Sequence, residues 1–142
     1  MNLEALKGEL IRDEGNRPWA YQDSEGWWTC GVGFLIDHRK GAVIPQPVID
    51  FWLDWLLIKL QAQLRGALSW FDDMDDVRQR VLANMAYNMG ITGLLGFKKA
   101  LAACERKDYD AAADEIADSD AARELPDRYQ RLIIMMRTGE IA

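Results

Sequence analysis

The stretch DEGNRPWAYQDSEGWWTCGVGFL, from Asp13 to Leu35, decides the fold. Aromatic and β-branched residues lie on either side of Asp23-Ser24-Glu25-Gly26, which is typical of a tight turn with glycine at a positive φ angle. The stretch therefore predicts a small β-hairpin. Gly31 and Gly33 follow on its second strand and indicate a bulge or a close approach of the backbone to a neighbour.

The predicted hairpin carries two carboxylates and a hydroxyl. Glu14 lies where a first helix would end, Asp23 begins the turn and Thr29 follows on the second strand. A partly buried Glu14 can stay protonated and act as an acid, whereas Asp23 in a wetter turn stays ionised. Acid–base hydrolysis of a glycosidic bond needs such a pair, with Thr29 helping to hold a water. Taken alone the signal is weak, because isolated acidic residues are usually solvated or cap a helix.

The bulk properties indicate one globular domain. The chain has 142 residues and a formal net charge of -6, which argues against non-specific binding to nucleic acid. Cys30 and Cys104 are expected to be free, buried thiols, since a chain of this size folds without a disulfide. The single histidine, His38, and the lack of metal-ligand spacing predict no metal and no cofactor.

The N-terminus MNLEALKGELIRDEG is amphipathic and charged. It lacks a basic start followed by an apolar stretch, so we expect no signal peptide. No apolar run is long enough to span a membrane, so we expect no stable membrane insertion. The protein is accordingly expected in the cytoplasm unless something else exports it.

Helical periodicity predicts most of the remaining structure. A first helix is expected from Asn2, as its N-cap, to about Asp13, with Gly15 and Pro18 ending it. A long helix is expected from about Val48 to Leu68. Its predicted apolar face comprises Trp52, Trp55, Leu56, Leu60 and Leu64.

The second half of the chain predicts further helices. Asp72 or Asp73 is expected to cap a helix that carries Val77, Val81, Met85 and Met89, with Met85 and Met89 in the core; Gly90, Gly93 and Gly96 are expected to interrupt the chain. Later helices are predicted at about Phe97–Cys104, Tyr109–Ala117 and Pro126–Arg137. The predicted fold is a single α+β domain over residues 1–142, mainly helical. It has a β-containing lobe at about 15–45, a helical lobe built from 1–14 and about 46–142, and a ligand cleft between them.

The motifs of the opening stretch resemble the phage lysozyme (endolysin) family typified by the T-even phage enzyme. That family carries a Glu, then Y-x-D, then a turn with Gly, then T-x-G-x-G. The corresponding residues are Glu14, Tyr21-Gln22-Asp23, Glu25-Gly26 and Thr29-Cys30-Gly31-Val32-Gly33. The resemblance resumes in MDDVRQRVLANMAYNMGITGLLGFKKAL and ends with Pro126-Asp127-Arg128-Tyr129-Gln130-Arg131 and Arg137-Thr138-Gly139.

The resemblance implies roles for individual residues. Glu14 would be the general acid, and Asp23, with help from Thr29, would orient the attacking water. The family inverts the anomeric centre, so the two carboxyl groups should lie roughly 6.5–9.5 Å apart. Arg128 matches an arginine placed near the catalytic Glu. Positions that line the cleft are matched by Tyr21, Gly33, Leu35, Tyr87 and Asn88.

The same resemblance implies an activity. The protein would be a muramidase that cleaves the β-1,4 bond between N-acetylmuramic acid and N-acetylglucosamine in bacterial peptidoglycan. It would act as a monomeric phage endolysin, held in the host cytoplasm until a holin-type lesion gives access to the wall. Two alternatives remain open, namely a catalytically weak or inactive peptidoglycan-binding protein of the same fold and a hydrolase of another amino-sugar polymer such as chitin.

The chain departs from the family pattern at several points. Phe34 stands where the family usually has a histidine that pairs with a carboxylate on the long helix. The corresponding stretch here, FWLDWLLIKL, is apolar, so we expect an aromatic packing contact in place of the ion pair. The region between Phe34 and Pro47 is short, which predicts a trimmed β lobe. Acidic and small residues replace polar amide, basic or aromatic ones at Glu115, Asp120, Ala121 and Ala122.

Overall fold

The computed structural model describes residues 1–35 and 46–142, without the side chain of Leu35. The expected polar loop from His38 to Gly41 and the shortened segment before Pro47 lie outside the described residues. Within them the fold is α+β and mainly helical, as the sequence predicts. No helix of the described part is both long enough and apolar enough to cross a membrane.

Three short strands and seven α-helices make up the described chain. The strands are β1 (Arg17–Gln22), β2 (Trp28–Gly31) and β3 (Phe34–Leu35). The helices are α1 (Leu3–Glu14), α2 (Gln46–Ala67), α3 (Asp76–Leu95), α4 (Lys98–Glu105), α5 (Tyr109–Ala117), α6 (Asp120–Glu124) and α7 (Pro126–Thr138), with a 3-10 turn at Phe71–Asp73. The chain divides into two compact units, Leu3–Lys59 and Met1–Asn2 with Leu60–Ala142.

The first unit joins α1, the sheet and the N-terminal part of α2. Gly15, at φ +77°, ends α1, because the left-handed region is the one that glycine tolerates best. The chain then enters an antiparallel sheet with the strand order β1-β2-β3. Tyr21 pairs with Thr29, and Thr29 pairs with Leu35 on the other side. The predicted hairpin is thereby confirmed, with a third short strand added.

The buried face of α2 agrees with the predicted one at Leu60 and Leu64 and differs from it elsewhere. Ile49, Leu53 and Leu57, spaced four residues apart, are buried in the first unit. Trp55 was expected on the apolar face but lies exposed on the other side of the helix. The prediction was wrong here because α2 carries apolar residues around most of its circumference, so periodicity alone does not select one face.

The second unit is a helical assembly with its own apolar core. α5 packs against α4 and α7, and α3 and α6 also contact α7. Cys104 is a free, buried thiol here, as Cys30 is in the first unit, and both agree with the sequence prediction. The large buried apolar side chains of the second unit include Leu64, Phe71, Leu82, Met85, Leu94, Tyr129, Leu132, Met135 and Met136.

One helix boundary and one short helix in this unit differ from the sequence prediction. α3 is capped by Asp75, whose Oδ1 accepts from the backbone N–H of Arg78 at 3.1 Å, and not by Asp72 or Asp73. Those two aspartates lie in the preceding 3-10 turn. The five-residue α6 was not predicted, because none of its residues is buried and it therefore carries no apolar periodicity. The predicted break at Gly90 is confirmed by its non-helical φ of 78° and ψ of 162°.

Candidate active site

A pocket of about 370 Å³ lies in the first unit, on the side of the hairpin that faces the end of α1. It brings together five of the predicted site residues. Its lining comprises Glu14, Tyr21, Asp23, Glu25, Trp27, Thr29 and Gly33. The site is therefore built by one helix end and one hairpin.

The pairing of the strands explains why these side chains converge. Tyr21 on β1 lies directly opposite Thr29 on β2, so both side chains point to the same face of the sheet. The chain turns back after Asp23. The backbone N–H of Asp23 donates to the carbonyl oxygen of Trp27, and the carbonyl oxygen of Asp23 accepts from the N–H of Gly26. Gly26 adopts φ +86°, as the turn sequence predicts.

Asp23 is held by the turn through one of its two carboxylate oxygens. Its Oδ1 accepts hydrogen bonds from the backbone N–H of Glu25 at 2.9 Å and of Trp27 at 2.8 Å. Such an Asx arrangement fixes the side chain without an ion pair. The second oxygen, Oδ2, takes no part in these turn hydrogen bonds and can serve a group bound in the pocket.

Thr29 is buried on the neighbouring strand and is anchored to the same turn. Its Oγ1 donates to the carbonyl oxygen of Trp27 at 3.3 Å. A hydroxyl that donates to the backbone still has lone pairs with which to accept. The turn is closed on its outer side by Gln22, whose Nε2 donates to the carbonyl oxygen of Gly26 at 3.2 Å.

Glu14 is the last residue of α1 and is half-buried against Gly33. A Cβ atom at Gly33 would lie 2.9 Å from Oε2 of Glu14, closer than real Cβ contacts. Gly33 also adopts φ +68°, where a side chain would be strained. Glycine at this position therefore leaves the space that the Glu14 carboxylate occupies.

A half-buried acid at a helix end, facing an aspartate held by a tight turn, is the arrangement that the opening motifs predict. The family model for phage lysozyme matches residues 12–128, which include every one of these side chains. The chain belongs to the phage lysozyme family. At family level this makes the protein a peptidoglycan-hydrolysing lysozyme, a glycoside hydrolase.

Three curated proteins are similar to this lysozyme over nearly its whole length. "Probable T4-type lysozyme 1" of Dictyostelium discoideum is 27% identical, with 98% of this chain and 97% of the relative covered. "Probable T4-type lysozyme 2" of the same organism is 26% identical, with the same coverage. The pre-baseplate central spike protein Gp5 of Enterobacteria phage T4 is 27% identical over 93% of this chain, which spans 27% of that longer protein.

Tyr21 lines the pocket beside a cation. The guanidinium carbon of Arg17 lies 4.4 Å from the centre of the Tyr21 ring. Burial raises the pKa of the Tyr21 phenol, and the nearby Arg17 charge offsets part of that rise. The phenol therefore stays protonated at neutral pH and offers the lysozyme both a hydrogen-bond donor and an acceptor.

The sequence analysis missed two residues of the pocket, Glu25 and Trp27. For Trp27 the signal was present, because Tyr21, Asp23, Trp27 and Thr29 lie at even spacings along the hairpin, and alternation places such residues on one face. Glu25 lies in the turn, where strand alternation gives no signal. Both missed side chains are exposed, and Trp27 offers an aromatic face at the rim of the site.

The remaining predicted site residues lie elsewhere in the described chain. Leu35 belongs to β3, and its side chain is not among those described. Tyr87 and Asn88 lie on α3, half-buried and exposed respectively, in the second unit. Arg128 begins α7 in that unit, buried, with its Nε donating to Oδ1 of Asn84 at 2.9 Å. Their roles in binding or catalysis stay predictions.

No group of three or more histidine, cysteine or acidic side chains among residues 1–35 and 46–142 is arranged to hold a metal ion.

Proposed function

We propose that this lysozyme cleaves the β-1,4 bond between N-acetylmuramic acid and N-acetylglucosamine with inversion, using Glu14 as general acid and Asp23 as general base. The observation that carries the proposal is the shared pocket, in which a half-buried glutamate faces an anchored aspartate and a buried threonine. Two carboxyl groups on opposite sides of a glycosidic bond are the minimum that such hydrolysis needs.

Each proposed role follows from the surroundings of the residue. Glu14 donates its proton to the leaving glycosidic oxygen as the bond to the anomeric carbon breaks. A water held by Asp23 and Thr29 attacks the opposite face of the sugar and passes its proton to Asp23. Because the turn fixes Oδ1 of Asp23, Oδ2 is the oxygen that we assign to this water.

The biological role that we propose is lysis of a host bacterium by a phage or prophage. In this proposal the protein accumulates in the host cytoplasm and reaches the wall after the inner membrane has been opened. Family membership supports the wall as the target. The relative named as a spike protein suggests virion-borne delivery as a second route to the same wall.

Clearing of outer-membrane-permeabilised Gram-negative cells tests the activity. We expect the wild type to clear the suspension and Glu14→Gln to lose at least ~100-fold in rate, the usual weight of general acid catalysis. Glu105→Gln, an exposed change of the same chemistry on α4, serves as the matched control and should clear like the wild type. Equal clearing by Glu14→Gln and the wild type would remove Glu14 from the mechanism.

Product analysis separates the proposal from its alternatives. Digestion of purified peptidoglycan should release fragments with N-acetylmuramic acid at the reducing end, formed first as the α-anomer if the reaction inverts. Initial release of the β-anomer contradicts the role given to Asp23. Binding to the wall without release of fragments supports a non-catalytic binding protein. Cleavage of chitin oligomers while peptidoglycan stays intact supports a hydrolase of that other polymer.

A further inference from the structure

The outward face of α2 carries a continuous apolar stripe. Val48, Phe51, Trp55 and Ile58 have 50%, 74%, 51% and 61% of their surface exposed. Single exposed apolar residues are common on protein surfaces, but four in register along one helix are not. This stripe, Val48-Phe51-Trp55-Ile58, lies opposite the face that Ile49, Leu53 and Leu57 bury in the first unit.

The spacing of the stripe is that of a coiled-coil seam. Its members follow one another at intervals of three, four and three residues, which is the alternation of a and d positions in a heptad. Val48 and Trp55 then take position a, and Phe51 and Ile58 take position d. In this register Asp54 takes position g and Lys59 takes position e, the two positions that flank a seam and set the choice of partner.

We propose that the stripe is the site at which a second copy of this chain binds, through parallel pairing of the two α2 helices. In a parallel pair, a g residue faces the e residue five positions later on the other helix. Asp54 would therefore face the partner's Lys59, and two-fold symmetry would repeat the pair. Two identical copies of the seam therefore bring opposite charges together when they pair.

The charges around the stripe also weigh against other occupants. In an antiparallel pair, g positions face g positions and e positions face e positions. If such a pair were centred on the stripe, Asp54 of one chain would lie opposite Asp54 of the other, and the two like charges would repel each other. Amphipathic helices that bind membranes usually carry Lys and Arg beside the apolar face. Beside this stripe Lys59 is accompanied by two acidic residues, Asp50 and Asp54, and the chain has a net charge of -6.

The contacts within one chain leave both flanking residues able to pair. Oδ1 of Asp54 accepts from Nζ of Lys7 at 2.6 Å, yet about half of the Asp54 side chain stays exposed. Nζ of Lys59 lies 5.1 Å from the centre of the Trp55 ring, which holds the ammonium beside the seam. A seam of two heptads buries little area, so we expect reversible association that depends on protein concentration.

Sedimentation velocity over a range of protein concentrations tests the pairing. We expect the mass to rise from monomer towards dimer, and Phe51→Glu to weaken the association at least ~10-fold, as truncation of a central interface residue does. Gln63→Glu, an exposed change on α2 outside the stripe, is the matched control and should associate like the wild type. Far-ultraviolet circular dichroism of each variant checks that α2 is intact.

Charge exchange tests the register without touching the apolar residues. Asp54→Lys and Lys59→Asp should each weaken the dimer several-fold because like charges then face each other across the seam. The double variant should recover most of the affinity. Failure to recover in the folded double variant overturns the proposed register, and a monomer at every concentration overturns the proposal itself.

A single introduced cysteine distinguishes the two orientations. In the parallel pair the a positions meet their own counterparts, so Val48→Cys should cross-link on mild oxidation while the buried Cys30 and Cys104 stay reduced. In an antiparallel pair centred on the stripe, the two copies of residue 48 would lie more than about 10 Å apart along the helix axis. A dimer that does not cross-link at this position would overturn the parallel arrangement. Binding of the monomeric protein to zwitterionic vesicles would assign the stripe to a lipid surface instead.

Discussion

The ring of Phe34 on β3 packs against the ring of Trp52 on α2, with centroids 4.7 Å apart and planes tilted by 33°. The sequence analysis predicted an aromatic contact at this point, in place of the ion pair that is usual in the family. Phe34 is buried and Trp52 half-buried, so the contact ties the sheet to the long helix inside the first unit. An offset, tilted pair of this kind is stabilising without any titratable group.

Phe34→Ala should lower the free energy of unfolding by about 3–5 kcal/mol, because it removes a buried aromatic side chain and leaves a cavity. Trp52→Ala should cost less, since part of that ring is already in water. Urea denaturation followed by circular dichroism measures both losses. The double variant should show a coupling of about 0.5–1.5 kcal/mol between the rings. Additive losses would mean that each ring is stabilised by other neighbours.

Two glycines of the hairpin should respond differently to the same change. Gly33→Ala places a methyl group where the Glu14 carboxylate lies, at a positive φ angle, so we expect a large loss of lytic activity. Gly26→Ala has a positive φ angle too, but no atom beyond its two neighbours in the chain lies within 4 Å of the added carbon. It should therefore cost about 1–2 kcal/mol of stability and leave the activity of the folded protein nearly unchanged.

Rates of cell clearing at a temperature where both variants are folded measure the difference. The ratio of activity to folded fraction separates displacement of Glu14 from simple unfolding. Similar specific activities for the two variants would show that the Glu14 side chain can shift without loss of lytic activity.

Features that neighbouring residues determine could be predicted from the sequence. Gly26 and Gly15 were assigned correctly, because turn and helix-end conformations are encoded by neighbouring residues. The exposure of Trp55 was not foreseen, because a helix with apolar residues on two faces gives the same periodicity whichever face is buried. Asp75 was missed as the cap of α3 because three aspartates stand within four positions of the helix start.

The candidate site was predictable to the extent that it is local. Glu14, Asp23 and Thr29 reach one pocket through a helix end and a hairpin, both of which the local sequence specifies. Trp27 required the further step of following the alternation back from Thr29, and Glu25 lies in the turn, where strand alternation does not apply. Arg128 depends on packing between distant segments, and its buried hydrogen bond to Asn84 could not be derived from spacing.

Tyr129 should make stability fall at alkaline pH. Its side chain is fully buried, its hydroxyl has no hydrogen-bond partner among the described residues, and burial raises its pKa from 10.0 to about 12. The folded protein therefore holds this proton more tightly than the unfolded chain. The resulting stabilisation is present below pH 10 and is lost as the pH rises from 10 towards 12.

Tyr129→Phe should remove that loss and should not destabilise the protein at pH 7, because the deleted hydroxyl leaves no bonded partner behind. Urea midpoints at pH 7 and at several values above pH 10 measure both effects. Tyr21→Phe should change the alkaline slope less, because Tyr21 is only half-buried and the Arg17 charge offsets part of the rise in its pKa. A wild-type alkaline slope that persists in Tyr129→Phe would assign the slope to other groups, such as Cys104, whose pKa burial raises to about 12.

Arg78 links the start of α3 to the end of α7 in the second unit. Its Nε donates to the carbonyl oxygen of Met136 at 2.6 Å, and its NH2 group donates to that of Arg137 at 2.9 Å. These carbonyls belong to the last turn of α7, where the helix leaves acceptors unpaired and where a positive charge is favourable. The guanidinium carbon also lies 3.9 Å from the centre of the Tyr109 ring.

Arg78→Lys keeps the charge but loses the planar fork, so it cannot serve both carbonyls and the Tyr109 ring at once. We expect a loss of about 2–3 kcal/mol in the free energy of unfolding, since hydrogen bonds from charged groups contribute more than neutral ones. Tyr109→Leu should cost only about 0.5–1 kcal/mol from the cation–π contact, beyond any change in packing. Hydrogen exchange should show the amides in the last turn of α7 exchanging faster in Arg78→Lys, and unchanged exchange there would mean that water replaces the guanidinium at little cost.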